Sequence, residues 1–175
     1  MSIIKHDFEK MNITKIKQTK NRQKLTVITA YDALFSNLFS KSADMILVGD
    51  SLNMSFMGKS DTLSATLDQM IYHTKAVCNG AKDAFVITDM PFATYINKDE
   101  ALKNCARVYQ ETLASAVKIE GGEDKADIIK HLTSNAIAVM GHIGLMPQYV
   151  RSEGGYKVRG KTLEDEEQLI RDAIA

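Results

Sequence analysis

Five short apolar runs, each carrying a chemically capable side chain at or near its end, constrain the fold of this chain more than any other feature. The runs are LTVITAYD ending at Asp32, MILVGDS ending at Ser51, AFVITDM ending at Met90, AVKIEGG ending at Gly122 and AIAVMGHIGL ending at Leu145. Between them, apolar residues recur at helical spacing: Leu34, Phe35, Leu38 and Phe39; then Leu67, Met70, Ile71, Thr74, Val77 and Cys78; then Leu102, Cys105, Val108, Tyr109, Thr112 and Leu113; then Ile128, Ile129 and Leu132. Near-continuous apolar strands that alternate with amphipathic helices predict parallel strands covered on both faces, that is, successive βαβ units.

The polar residues narrow the architecture. Asp32, Asp50, Asp89, Glu120 and His142 fall at the ends of the five runs, and a parallel sheet gathers such ends on one rim. In a (β/α)8 TIM barrel that rim is the mouth where βα-loops build the active site. A doubly wound open sheet is the competitor, but it binds nucleotides through a glycine-rich first turn, and TAYDALF contains no glycine. The reading is therefore an α/β (β/α)8 barrel of which about the first five units are present, spanning residues 25–175 behind an N-terminal helix or arm, residues 1–24. A closed barrel needs eight strands and typically about 250 residues, so the C-terminal units are expected to be missing. The last segment, GKTLEDEEQLIRDAIA, opens with Thr162 as an N-cap and reaches the end of the chain without a helix-terminating signal, which fits a truncated chain.

Composition excludes several classes of function. The 22 basic and 22 acidic residues cancel, which removes the positive field that nucleic acid or an anionic membrane attracts. Apolar runs fall short of the roughly 20 residues of a membrane span. Cys78 and Cys105 form no CxxC pair and no secretory leader precedes the fold, so a cytoplasmic protein without disulfides is expected.

Three carboxylates carry the chemistry: Asp50 in VGDSL, Asp89 in ITDMPF and Glu120 in VKIEGGE. Crowded at one mouth they repel one another unless a cation holds them, and an oxygen-only set suits a hard divalent ion such as Mg2+. The competing explanation is that each acid caps a helix or pairs with a lysine. Lys118 precedes Glu120 by two positions and so shares its face of the strand, where its ammonium can receive an anionic substrate group. Ser51 can donate to the same anion, or simply cap a loop. His142 in GHIGLMPQ can move a proton or orient a substrate oxygen, or serve only as a hydrogen-bonded structural residue. His73 is read as structural, and Asp32 as a loop anchor.

The segments TAYD, VGDSLNM, DTLSATLDQMIYHTKAV, TDMPF, VKIEGGE, GHIGLMPQ and GGYKVRGK, in this order from about Leu25 to Gly160, resemble the successive motifs of the ketopantoate hydroxymethyltransferase family. The resemblance implies a TIM barrel and a Mg2+ ion. It implies 3-methyl-2-oxobutanoate as substrate, 5,10-methylenetetrahydrofolate as one-carbon donor, 2-dehydropantoate as product, and a place in pantothenate and coenzyme A biosynthesis. It also implies a homo-oligomer, usually a decamer. By motif, Asp50, Asp89 and Glu120 match metal ligands, and Asp50, Ser51, Asp89 and Lys118 match substrate contacts. Lys118 and His142 are the candidate catalytic residues. The family's proton-abstracting glutamate lies on a sixth strand that this sequence lacks, so these residues alone are expected to be inactive. Two alternatives stand beside this reading: another Mg-dependent barrel lyase acting on 2-oxo acids, and a non-catalytic binding or assembly remnant.

Overall fold

The computed structural model describes residues 10–175. Five strands, β1 (Val27–Thr29), β2 (Met45–Val48), β3 (Phe85–Asp89), β4 (Ala116–Glu120) and β5 (Val139–His142), form one sheet in the order β1-β2-β3-β4-β5. Every neighbouring pair is parallel. Each predicted run contains one of these strands, and helices connect them: α2 (Ala33–Phe39), α3 (Leu52–Ser55), α4 (Leu67–Gly80), α5 (Lys98–Glu111) and α6 (Ala126–Ser134). The fold is α/β with a parallel sheet. Among the described residues β1 and β5 are its two edges.

Strand alternation divides the core in two. Ile46, Val48, Val86, Val117 and Ile119 point to the helices, where they pack in the two clusters that also hold Met70, Val77, Cys105, Val108 and Leu132. Met45, Phe85, Ile87 and Ala116 point to the opposite face, with Leu47 and Met140 packed against them. This second face is covered from one side by Met11, Ile16 and Leu25, so the helix α1 (Ile13–Thr19) closes over its apolar layer. Residues 1–9 of the expected arm lie outside the described residues.

Local signals in the sequence set the helix starts. Asn12, Asp32, Thr66, Asn97 and Thr162 each cap a helix with a side-chain oxygen that accepts a backbone N–H three residues on. At Thr66 the box is reciprocal, because Gln69 returns a bond to the Thr66 backbone. The cap at Thr162 opens α7 (Leu163–Ile174).

Two apolar stripes turn out differently. Three of the four residues of the predicted α2 stripe, Leu34, Phe35 and Leu38, are directed outward, with Leu34 77% exposed, and Ser36 is the buried residue of that helix. The cause is close backbone packing: a Cβ at Gly80 of α4 would lie 2.0 Å from the Ala33 carbonyl oxygen, and Ser36 Oγ donates to Val77 O at 3.1 Å. Small residues thus dock α2 on α4, so Leu34, Phe35 and Leu38 face away while Phe39 packs against the core. Leu113 is also exposed, because α5 ends at Glu111 and the chain leaves in extended form at Thr112.

Candidate functional site

Alternation places Ile87 and Asp89 on one face of β3, Ala116, Lys118 and Glu120 on the same face of β4, and Met140 and His142 on that face of β5. The polar residues therefore sit at the carboxyl ends, directly above the apolar layer. Register completes the geometry. Asp89 is the β-partner of Lys118, and Glu120 is the β-partner of His142. Lys118 Nζ donates to Asp89 Oδ1 at 2.6 Å, and Glu120 Oε1 lies 3.1 Å from His142 Nδ1.

Asp50 joins them from the loop after β2. Its backbone N–H donates to Asp89 Oδ2 at 3.1 Å, and its own Oδ2 accepts from Gln148 Nε2 at 2.8 Å. The glycine of VGDS permits this approach, since a Cβ at Gly49 would lie 3.0 Å from Ser51 Oγ and 3.5 Å from Asp89 Oδ2. Ser51 pairs its hydroxyl with Tyr31 Oη at 2.8 Å. Asp32 caps α2 and takes no part, and His73 binds the Tyr31 carbonyl through Nδ1 at 2.7 Å.

Gln148 is the residue that sequence reasoning passed over. It lies only 5% exposed in the short 3-10 turn Pro147–Tyr149 that follows β5. Its Nε2 donates to Asp50 Oδ2 and to Met90 O, its backbone N–H donates to Glu120 Oε2 at 2.9 Å, and its Oε1 accepts from Tyr95 Oη at 2.5 Å. One residue, through its side chain and its backbone N–H, thus ties the turn after β5 to the ends of β2, β3 and β4. A glutamine does not titrate and gives no chemical signal in sequence; its place in the loop after a reactive strand end was the sole clue.

The electrostatics are those of a buried anionic centre. Asp50 is 3% and Glu120 2% exposed. Burial, reinforced by the neighbouring Asp89 charge, pushes the Asp50 carboxyl up to about 7, against the Gln148 hydrogen bond that lowers it. Burial also raises Asp89, and the Lys118 ammonium beside it acts in the opposite direction. Tyr95 is held protonated, chiefly by burial and then by the Glu120 charge, so it donates to Gln148.

Asp50, Asp89 and Glu120, expected to surround one ion, converge in one hydrogen-bonded network at the carboxyl ends of their strands. Among the described residues no group of three or more His, Cys, Asp and Glu side chains stands ready to hold a metal. Glu120 has both oxygens engaged, by His142 and by the Gln148 backbone, and Asp89 Oδ1 is engaged by Lys118. The donor chemistry suits a hard cation, because three buried carboxylates share one network with a single lysine, which pairs with Asp89, and Mg2+ is commonly held by one or two carboxylates with water and substrate oxygens. Asp50 and Asp89 are joined through the Asp50 backbone N–H.

Comparison with known proteins places this geometry. The family model described as ketopantoate hydroxymethyltransferase matches residues 10–175. A relative in Aliarcobacter butzleri, 3-methyl-2-oxobutanoate hydroxymethyltransferase, is 85% identical over 100% of this chain and 65% of its own length. The enzyme of the same name in Sulfurimonas denitrificans is 68% identical over 95% of this chain and 64% of its own length. The chain thus spans a little under two thirds of the curated relatives it matches. Among solved structures, 2,3-dimethylmalate lyase, a PEP mutase/isocitrate lyase superfamily member, superposes with a TM-score of 0.57 at 16% identity, covering 91% of this chain and 65% of the other. That likeness concerns the fold.

Proposed function

Because this chain belongs to the ketopantoate hydroxymethyltransferase family, we propose that it forms the oxo-acid half of a (β/α)8 barrel that transfers a hydroxymethyl group from 5,10-methylenetetrahydrofolate to 3-methyl-2-oxobutanoate, giving 2-dehydropantoate for pantothenate biosynthesis. The observation that carries this reading is the Asp89 and Lys118 ion pair joined to Asp50, a buried set with more negative than positive groups. Such a set calls for a cation and offers an ammonium to an anionic substrate.

Asp50 and Asp89 would hold Mg2+, and Glu120 is the third carboxylate whose charge it offsets. When bound there, the ion supplies Lewis acidity toward the oxygens of the oxo acid and so acidifies the neighbouring C3 hydrogen. Lys118 offsets the substrate carboxylate, and Ser51 donates to the same anion after exchanging its Tyr31 partner. His142, oriented by Glu120, relays a proton at the substrate oxygen. Abstraction of the C3 proton belongs, by the family resemblance, to a glutamate on a sixth strand outside these 175 residues. The carbanion equivalent left at C3 forms the new carbon–carbon bond with the donor's methylene carbon, and water supplies the hydroxyl as tetrahydrofolate leaves. A closed barrel, a homo-oligomer of decameric form and a cytoplasmic location complete the reading; among the described residues no helix is long and apolar enough to cross a membrane.

Calorimetric titration of the chain with 3-methyl-2-oxobutanoate, with and without Mg2+, tests the assignment. Mg2+-dependent binding that is lost in Asp89→Asn supports it, and absence of binding refutes it. A second reading, a binding or assembly remnant, draws on the share of the relatives' length that this chain covers. In a longer protein that carries the sixth strand, it predicts the same binding with no exchange of the C3 proton into deuterated water, an exchange that the proposed reaction requires.

A further inference from the structure

In the reaction proposed above, Tyr31 is only the acceptor that Ser51 gives up, yet its hydroxyl reaches the centre of the site. Tyr31 follows β1 in the connection to α2. The parallel register of Val27 with Met45 and of Thr29 with Leu47, carried two positions further, sets Tyr31 opposite Gly49. Met45 and Leu47 face the apolar layer below the carboxylates, so position 49 faces the mouth above that layer. A Cβ there would lie 3.0 Å from Ser51 Oγ, 3.5 Å from Asp89 Oδ2 and 3.6 Å from Tyr31 Oη. The glycine thus leaves open the space on which a serine hydroxyl, a carboxylate and a phenol converge.

Tyr31 is fixed from several sides. Its carbonyl accepts from His73 Nδ1 of α4 at 2.7 Å. Its backbone is bracketed by the Ala30 N–H, which donates to Leu47 O at 3.1 Å, and by Asp32, which caps α2. Its ring meets Phe56 edge to face, with centroids 5.4 Å apart and planes at 78°. Held in this way, the phenol brings Oη to 2.8 Å from Ser51 Oγ.

Two hydroxyls carry two hydrogens, and a bond between them uses one. A phenol O–H is a better donor than an alcohol O–H. When Tyr31 donates, the serine hydrogen is left for an incoming oxygen, and a chain from phenol to serine to carboxylate strengthens each of its links. We infer that Tyr31 is a positioning residue of the oxo-acid site, which donates to Ser51 Oγ and so turns the serine hydrogen toward the substrate carboxylate. As the anion takes that hydrogen, Ser51 loses Tyr31 as acceptor and keeps it as donor. The inference rests on the reading that an oxo acid seats at Ser51, and adds the group that aims this contact.

The test is calorimetric titration of the 175-residue chain, in the presence of Mg2+, with 3-methyl-2-oxobutanoate and with pyruvate. The two acids share the head group that Ser51 meets and differ in the tail. Tyr31→Phe keeps the ring against Phe56 and removes only the hydroxyl. It is expected to weaken both acids by the same factor, about 3- to 10-fold, the range of one hydrogen bond. In a Ser51→Ala chain the same change should have no further effect, because Tyr31 acts through Ser51. A purely structural role predicts an equal loss in both backgrounds and overturns the inference, as does undiminished binding by Tyr31→Phe. A parent chain that binds pyruvate but not 3-methyl-2-oxobutanoate counts against the proposed substrate, and the pyruvate series then decides the role of Tyr31. A parent chain that binds neither acid overturns both.

Discussion

Asp89 and Lys118 are partners in the β3 and β4 register, and the side chains of that backbone pair meet at 2.6 Å between Oδ1 and Nζ. Both are largely withdrawn from water, with side chains 7% and 12% exposed. A pair of this kind is costly to break from one side, because the remaining charge keeps its desolvation penalty without its partner.

Lys118→Met is therefore expected to destabilise the chain by about 3 to 5 kcal/mol, while Asp89→Asn combined with Lys118→Met recovers much of that loss. Urea unfolding of the two single variants and the double variant measures the coupling. Additive losses would show that the two groups do not act as a pair.

The raised Asp50 carboxyl predicts a pH dependence. Its folded value of about 7 lies above the ordinary 3.8, so the folded state binds more protons than the unfolded state between those values. Stability contributed by protonated Asp50 is full below about pH 4 and is lost as pH rises toward 7. Thermal unfolding without divalent ions should show Asp50→Asn gaining on the parent chain from pH 5 to pH 8. Mg2+ should raise the Tm of the parent at pH 8 and leave that of Asp50→Asn nearly unchanged. Equal pH profiles of the two proteins would contradict this account.

Gln148→Met keeps the length of the side chain and removes its bonds to Asp50, Met90 and Tyr95. Groups that orient metal-binding carboxylates typically cost roughly 10- to 100-fold in metal affinity when lost, and that range is expected for Mg2+ here. Tyr95→Phe removes a single bond to the Gln148 Oε1 and should weaken Mg2+ binding less. The order of the two dissociation constants, read by calorimetry, decides whether Gln148 or Tyr95 dominates the positioning.

Gly80→Ala tests the docking of α2. The added Cβ would lie 2.0 Å from the Ala33 carbonyl oxygen and 2.3 Å from Ser36 Oγ, so the two helices must separate. The expected loss is about 1 to 3 kcal/mol, despite alanine's better helix propensity. Chemical denaturation that shows Gly80→Ala more stable than the parent would mean that α2 is not held at this distance.

Much of the fold was legible in the chain because it is written in local and periodic physics. Runs such as MILV and FVITD are apolar on both faces, which suits strands covered on both sides, and Asn97, Thr66 and Thr162 cap the helices that the spacing predicts. The two-residue step from Lys118 to Glu120 fixed that both share a face, since side-chain period in a strand admits no other outcome. The α2 stripe was misleading, because the pattern of Leu34, Phe35 and Leu38 says which side is apolar and not which side the small residues Ser36 and Gly80 allow to approach.

The sequence by itself determined the alternation of strands and helices, the acids at the strand ends and the family to which those motifs point. Only the tertiary structure decided what the acids touch. Glu120 bonds His142 and the Gln148 backbone because β4 and β5 pair in that register, and Gln148 reaches Asp50 across 98 positions because the turn after β5 folds over the ends of its neighbours. Such contacts depend on strand register and loop path, which are set by the packing of the whole sheet and leave no trace in local composition.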